Sequence, residues 1–246
     1  MNLLFKGRFR MTVVEQVRSF PVSDALPEER AQFIRKTYTH LAGAIAAFIG
    51  VEYVFFNTRL AAAFTGFVLG SRYAWLMILG GFMVAGWLAR SIIANAKTRS
   101  TQYVGLGVYV VAEALIFIPL LYIAMSYSSK NVLPSAALIT GTLFTGLSAV
   151  ALTTRRDFSF LGGILKVGGF VALGLIVAGV LFGFNLGLAF SGGMVLLASG
   201  AILYDTSKIV HSYNSDDYVA ASLQLFASVM LLLWYIIRIL MRFSRR

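Results

Sequence analysis

Seven apolar runs, each about 20 residues long, constrain the fold of this chain more than any other feature. A helix of that length rises about 30 Å, which is the thickness of a bilayer's hydrocarbon core. The runs are apolar on all sides, whereas strands of a membrane barrel alternate polar and apolar residues. The sequence therefore predicts an all-α, polytopic protein that crosses a lipid bilayer seven times. The predicted spans one to seven cover 37–56, 73–95, 104–125, 134–153, 160–182, 186–208 and 219–241.

Charge is scarce, and its placement matters more than its sum. Only 13% of the residues are charged, against about 25% in soluble domains. The net charge of +11 comes from Lys and Arg in the connections and at the two ends. That distribution is typical of membrane proteins with basic cytoplasmic segments and of attraction to anionic lipid. We therefore expect no nucleic-acid partner.

The chain divides into a basic tail, residues 1–36, and a transmembrane domain, residues 37–246. Pro27, followed by Glu28 and Glu29, is typical of a helix start that could run straight into span one. All connections are short, so we expect consecutive spans to be antiparallel neighbours. The Lys/Arg distribution places the N terminus in the cytoplasm and, with seven spans, the C terminus outside. Because the C-terminal end is itself rich in Arg, a re-entrant last segment remains the alternative.

Nothing in the sequence predicts an enzyme or a cofactor. The chain has no Cys, which excludes disulfides, thiolate metal sites and cysteine nucleophiles. It has no HExxH motif and no arrangement of Ser, His and Asp typical of a hydrolase. His40 and His211 are far apart, and we expect both to be interfacial side chains.

Four ionisable residues inside the spans are candidates for function, because a charge in the hydrocarbon needs a partner or water. Asp205 and Arg90 share a depth near the cytoplasmic side, so we expect them to pair, as a gate or as a structural clasp. Arg90 could instead extend its long stem to the interface. Glu113 is deep and too short to do so. Glu52 is nearer the outer face, where it could simply reach the interface.

Five segments carry a resemblance to a known family. They are FIRKTYTHLAGAI, AEALIFIPLL, GTLFTGLSAVALTTRRDFSFLGG, SGAILYDTSKIVH and DYVAASLQLFASVMLLL. With them the chain resembles the transmembrane Bax inhibitor motif family over residues 30–243, and in particular its bacterial branch. The resemblance implies a bacterial inner membrane and a bundle of seven helices with the seventh at its centre. It also implies two activities: a pH-sensitive calcium leak, and modulation of a membrane-bound AAA protease of the FtsH type.

The resemblance also suggests roles for individual residues. The resemblance matches Asp205 to the family's helix-six aspartate, Arg90 to its helix-two arginine and Glu113 to its helix-three glutamate. Asp205 and Glu113 would supply oxygen ligands to a permeating calcium ion. Ser228 stands where the family has a second aspartate, and two close carboxylates would share a proton. We therefore expect pH gating to be weaker here, or to need more acidic pH, than in relatives with both aspartates.

Two functions follow as expectations. The first is a pH-modulated calcium or cation leak with Asp205 and Arg90 at the gate, Glu113 along the path and Ser228 opposite Asp205. The alternative is a non-transporting regulator that binds a membrane-bound AAA protease, using the basic tail. An intramembrane enzyme would need a paired-aspartate motif, which the chain lacks.

Overall fold

The chain folds into helices that run back and forth across a single bundle. The structure is a computed structural model that describes Val22 and residues 25–154 and 156–244. The predicted basic tail lies mostly outside these described residues. Eight helices occupy the described part of the chain: α1 Pro27–Phe56, α2 Leu60–Gly70, α3 Arg72–Ala94, α4 Arg99–Tyr127, α5 Val132–Thr154, α6 Leu161–Phe182, α7 Gly187–His211 and α8 Tyr218–Ser244.

Seven of the helices in the described residues are long and apolar enough to cross a membrane, which confirms the predicted polytopic all-α fold. Spans one to seven correspond to α1 and α3 to α8. The eleven-residue helix α2 was not predicted, because it is too short to span and lies in a stretch interpreted as a connection. The helix start at Pro27 is confirmed, with Glu28 and Glu29 in the first turn of α1.

Helix α8 lies at the centre of the bundle, as expected for the seventh span. It packs against α1, α3, α4, α5 and α7. Its buried residues include the consecutive run from Ala221 to Leu223, so several of its faces are covered by other helices. Helix α6 is the opposite case, since Ala172 is its one buried residue in the described structure. Helix α6 therefore lies at the edge of the bundle, where it packs mainly on α7 and leaves its outer side free to face lipid.

The expectation that consecutive spans are neighbours is wrong in two places. Among the described residues α1 makes no contact with α3, because α2 lies between them in the chain and packs on both. Likewise α5 does not touch α6 and packs instead on α7 and α8. A short connection limits the distance between two helix ends but does not force the helices to pack along their length. Helix α7 lies between α5 and α6 and packs on both of them.

Connections from different parts of the chain meet at two faces of the bundle. At the N-terminal face, the backbone N–H of Val22 donates to the Tyr213 carbonyl at 2.8 Å, and Arg99 pairs with Asp216 at 2.5 Å. At the opposite face, the Ser129 N–H donates to the hydroxyl of Ser244 at 2.8 Å. Helix α8 therefore crosses the whole bundle, and the re-entrant alternative for the last segment is wrong.

Candidate functional site

Asp205 lies near the end of α7 and is held by two side chains of α8. Its side chain is buried, with 2% of its surface exposed. Ser228 Oγ donates to Oδ2 at 2.5 Å, and Gln224 Nε2 donates to Oδ1 at 3.3 Å. A buried carboxylate is costly unless its oxygens accept hydrogen bonds. These two bonds satisfy that requirement and join α7 to the central helix.

The spacing on α8 explains why two donors reach the same carboxylate. Gln224 and Ser228 are four residues apart, so they lie one turn apart on a single helix face. Sequence reasoning singled out Ser228 but missed Gln224. Gln224 could have been found from its spacing, because a side chain one helical turn from Ser228 can reach the same partner.

The predicted ion pair between Arg90 and Asp205 is not formed in the described residues, where the one ion pair joins Arg99 to Asp216. The guanidinium of Arg90 instead lies over the Tyr109 ring, 5.8 Å from its centroid, and the side chain is exposed. The physical reason is that α8 already satisfies both carboxylate oxygens of Asp205. The shared depth predicted from the sequence did not identify the partner of Asp205.

Glu113 lies in the middle of α4 and faces a cavity of about 550 Å³. The side chain is 5% exposed, and its Oε2 has no hydrogen-bond partner among the described residues. The cavity is lined mainly by apolar and aromatic side chains of α3, α4, α6, α7 and α8. Its polar wall residues include Tyr109, Glu113 and Ser228. Glu113 is therefore a carboxylate with free acceptor capacity in the wall of this mainly apolar cavity, which we call the chamber.

Ser228 is shared by the cavity and by the Asp205 site. Ser228 lines the cavity, whereas Asp205 does not. The hydroxyl of Ser228 donates its hydrogen bond to Asp205, which is not part of the cavity lining. The two predicted carboxylates, Asp205 and Glu113, are therefore separated by the Ser228 position. The described residues hold no group of three or more His, Asp or Glu side chains that could bind a metal ion.

The cavity continues towards the opposite face of the bundle. A neighbouring cavity of about 600 Å³ shares Trp75, Asn185, Trp234 and Arg238 with it. The Arg238 guanidinium rests over the Tyr235 ring, 5.7 Å from the centroid. Arg238 belongs to the Arg-rich C-terminal end of the sequence. In the structure it lines both cavities, at the mouth of the chamber.

Glu52 is buried among the helices near the end of α1. It is the last member of a buried stripe on α1 and is 7% exposed. Neither carboxylate oxygen has a hydrogen-bond partner among the described residues. Glu52 lines neither of the two connected cavities, so it belongs to the helix packing rather than to the chamber.

A second polar cluster closes the N-terminal face. Arg99 pairs with Asp216 and lies over the Tyr218 ring at 4.7 Å from its centroid. His40 Nε2 is 2.8 Å from the Tyr103 hydroxyl, and its ring lies 4.8 Å from that of Tyr218. These contacts tie α1 and α4 to the start of α8. They fit the expectation that His40 is an interfacial side chain, although its hydrogen bond and stacking were not foreseen.

Two groups in the connections titrate away from their usual ranges. Burial raises the pKa of Tyr213 to about 12, and the nearby carboxylates of Asp205 and Asp217 act in the same direction. Hydrogen bonds from the backbone N–H and hydroxyl of Ser159 hold the pKa of Asp157 below its usual range. At neutral pH Tyr213 is therefore neutral and Asp157 ionised.

Comparison with known proteins assigns the chain to a family. The family model described as "Inhibitor of apoptosis-promoting Bax1" matches residues 30–245. An uncharacterised protein of Pseudomonas aeruginosa is 31% identical over 87% of this chain and 91% of its own length. Bax inhibitor 1 of Schizosaccharomyces pombe is 28% identical over 89% of this chain and 80% of its own.

A third relative has a more specific name. The modulator of FtsH protease, YccA, of Escherichia coli is 38% identical over 112 residues, which are 45% of this chain and 51% of YccA. The family match covers all seven membrane-spanning helices, apart from the first three residues of α1, and includes Asp205, Ser228 and Glu113. The chain is therefore a multi-pass membrane protein of the Bax inhibitor family.

Proposed function

We propose that this protein is a slow cation leak of the membrane, with calcium as the permeant ion and Asp205 at the gate. The hydrogen bond from Ser228 to Asp205 carries the proposal, because it stands where the chamber ends. Breaking that bond would connect the chamber to the buried carboxylate beyond it. The bond joins α7 to α8, so small movements of these two helices would open or close the path.

The chamber offers few oxygen ligands to a permeating hard cation. Glu113 offers an unpartnered carboxylate oxygen, and calcium prefers oxygen ligands. Arg238 at the mouth opposes cations electrostatically. Arg90 rests on Tyr109, which lines the same chamber. A shift of Tyr109 would therefore move the positive charge of Arg90 towards the gate. We therefore expect a low flux and keep Arg90 in the proposed gate.

The leak is expected to depend only weakly on pH between 5 and 8. Ser228 puts a hydroxyl where a second carboxylate would share a proton with Asp205. We also propose that the protein lies in a bacterial inner membrane with its N-terminal face in the cytoplasm. The relative in another Escherichia coli strain is named an inner membrane protein, and the basic N-terminal residues favour that orientation.

Calcium entry into proteoliposomes tests the leak. We expect measurable entry with the wild-type protein and about fivefold faster entry with Asp205→Asn. The asparagine keeps the shape and an acceptor oxygen but loses the charge, which weakens the hydrogen bonds by about 1 kcal/mol. Entry would be followed with a calcium dye inside the vesicles from pH 5 to 8.

The matched control is Glu52→Gln, which neutralises a buried carboxylate outside the chamber. It should leave entry unchanged. No entry above that of empty liposomes at any pH, or equal entry with wild type and Asp205→Asn, would contradict the leak. The contacts of Asp205 would then be a structural clasp between α7 and α8.

We also propose, as a second candidate, that the protein modulates a membrane-bound AAA protease. The name of the Escherichia coli relative favours this function. The basic stretch before α1 is the segment most suited to reach such a partner. Residues 1–20 carry four of the basic side chains, and the packing of Val22 on Tyr213 begins beyond them.

Removing residues 1–20, with a new initiating Met, separates the two functions. We expect the truncated protein to lose co-purification with FtsH and to keep calcium entry, since the helices and the contact of Val22 remain. Replacing the four Lys and Arg of this stretch with Gln is the matched variant, because it changes charge without changing length. Retained co-purification in both variants would contradict a docking role for the tail.

A further inference from the structure

We propose that the chamber is a binding site for hydrophobic amines, with the ammonium group on Glu113. Its volume of about 550 Å³ lies within the range of about 300–1,000 Å³ common for small-molecule sites. Such sites are mostly apolar with a few polar groups that fix orientation. The inference concerns what the chamber binds and does not require that the chamber conduct ions.

Glu113 identifies the polar end of the ligand. Its Oε2 is buried and unpartnered in the described structure, although buried polar atoms are normally hydrogen-bonded. Arg90, which rests on Tyr109, is near enough to act on Glu113 electrostatically, but no described Lys or Arg forms a salt bridge with it. The missing partner is therefore a donor, and within the hydrocarbon an ammonium also compensates the charge of a carboxylate. A ligand amine supplies both.

The walls identify the rest of the ligand. Trp75 and Trp234 stack at 5.8 Å between ring centroids, and Phe117 meets Trp234 edge-on at 5.0 Å. All three line the chamber together with Phe82 and Tyr235. Aromatic faces attract organic cations and also bury alkyl chains. An alkylammonium with its head at Glu113 would pass its chain along the two tryptophans.

The bilayer provides the entrance. Arg238 at the mouth disfavours a cation arriving from water. Helix α6 forms one wall, packs mainly on α7 and touches α3 only sparsely. The uncharged amine dissolves in the bilayer and can enter between α3 and α6. Inside the chamber the amine and Glu113 share one proton. An amine that meets a protonated Glu113 and an ammonium that meets an ionised Glu113 give the same N–H···O pair.

Tryptophan quenching in nanodiscs tests the site directly. The probes are ω-bromodecylamine and ω-bromodecanol, which share a brominated chain and differ in the head group. Trp87 is 66% exposed on the lipid side, so Trp87→Phe serves as the background in all samples. We expect saturable quenching of Trp75 and Trp234 by the amine. The alcohol should give only the linear quenching that comes from partition into the bilayer.

Two variants locate the site. Glu113→Gln should weaken amine binding about tenfold to 100-fold, as expected for losing a hydrogen bond between charged groups. Gly169→Leu should abolish saturable quenching without altering Glu113. Gly169 lines the chamber, and an added side chain there starts in open space. Its control is Gly174→Leu, on the same helix, also in open space and outside the chamber lining.

Either of two results would overturn the proposal. Equal saturable binding of amine and alcohol would show an acyl-chain pocket with no selectivity for ammonium. Equal quenching in the Gly169→Leu and Gly174→Leu proteins would place the ligand outside the chamber. Should Glu113→Gln fail to fold, the two glycine variants still decide the location and the two probes decide the chemistry. A protein without calcium flux would leave these readouts unchanged.

Discussion

Replacing Phe226 with alanine is expected to lower the free energy of unfolding by about 3 kcal/mol, the largest loss we expect from one truncation. Phe226 is fully buried on the central helix α8. Its ring lies 6.3 Å from that of Phe48 on α1 and 6.1 Å from that of Tyr109 on α4. The truncation opens a cavity where three helices meet.

The size of this loss follows from the solvent. Unfolded membrane helices remain in lipid, so the hydrophobic transfer term contributes little. What is lost is packing, since atoms lining a void have no partners on one side. We therefore expect the lower end of the range of about 3–5 kcal/mol seen for Phe→Ala in soluble cores. Reversible unfolding in mixed micelles, titrated with SDS, measures it.

Phe170→Ala is the matched control. Phe170 lies on the outer helix α6 and is 76% exposed, so the same atoms are removed from a lipid-facing position. Its effect should stay within about 0.5 kcal/mol. Equal losses at the two positions would contradict the central packing of α8.

The bilayer explains why the fold class could be predicted from sequence. Backbone groups in hydrocarbon must be satisfied internally, so a long apolar run has one practical structure, a helix. The second predicted span agrees with α3 to within one residue at each end, whereas α1 starts ten residues before the first predicted span, at Pro27. Helix α2 could not be recognised in this way, because its eleven residues are too few to cross the core.

Packing between helices was less predictable than their number. The central position of α8 came from the family resemblance and not from its own pattern. Small and apolar residues lie on every side of a membrane helix, so periodicity separates lipid-facing from buried faces poorly. The adjacency expected from short connections therefore failed for α5 and α6, while it held for α7 and α8.

The candidate site was partly predictable for a related reason. A lone carboxylate in an apolar run is conspicuous, and this singled out Asp205 and Glu113. Their surroundings were not conspicuous, because Gln224 is a neutral side chain in an apolar helix. Arg90 was paired with Asp205 from depth alone. Depth fixes the height of a residue along its helix but not the face on which it lies.

Replacing Ser228 with alanine is expected to raise calcium entry about tenfold to 100-fold, if the Asp205 contact closes the chamber. The variant removes the hydroxyl that donates to Oδ2 at 2.5 Å. A hydrogen bond to a charged group contributes about 1.5–3 kcal/mol, and the substitution destabilises the closed state by that amount. In the open state water can satisfy the carboxylate, so the open state loses nothing. The equilibrium therefore moves towards the open state.

Gln224 limits how far this shift can go. Its amide still donates to the other carboxylate oxygen at 3.3 Å, a longer and weaker bond. The tenfold value therefore applies if Gln224 moves closer and compensates, and the 100-fold value applies if it does not. Entry rates at one fixed calcium gradient, divided by the amount of reconstituted protein, give the comparison.

Ser222→Ala separates this effect from a general loosening of α8. Ser222 is also fully buried on that helix, but its hydroxyl donates to the Val219 carbonyl at 2.8 Å within the same helix. Removing it leaves the contact between α7 and α8 intact, so entry should match that of the wild type. Faster entry in both variants would mean that α8 has merely become less well packed. Unchanged entry in Ser228→Ala would mean that the chamber is closed elsewhere, and Asp205 would lose its place at the gate.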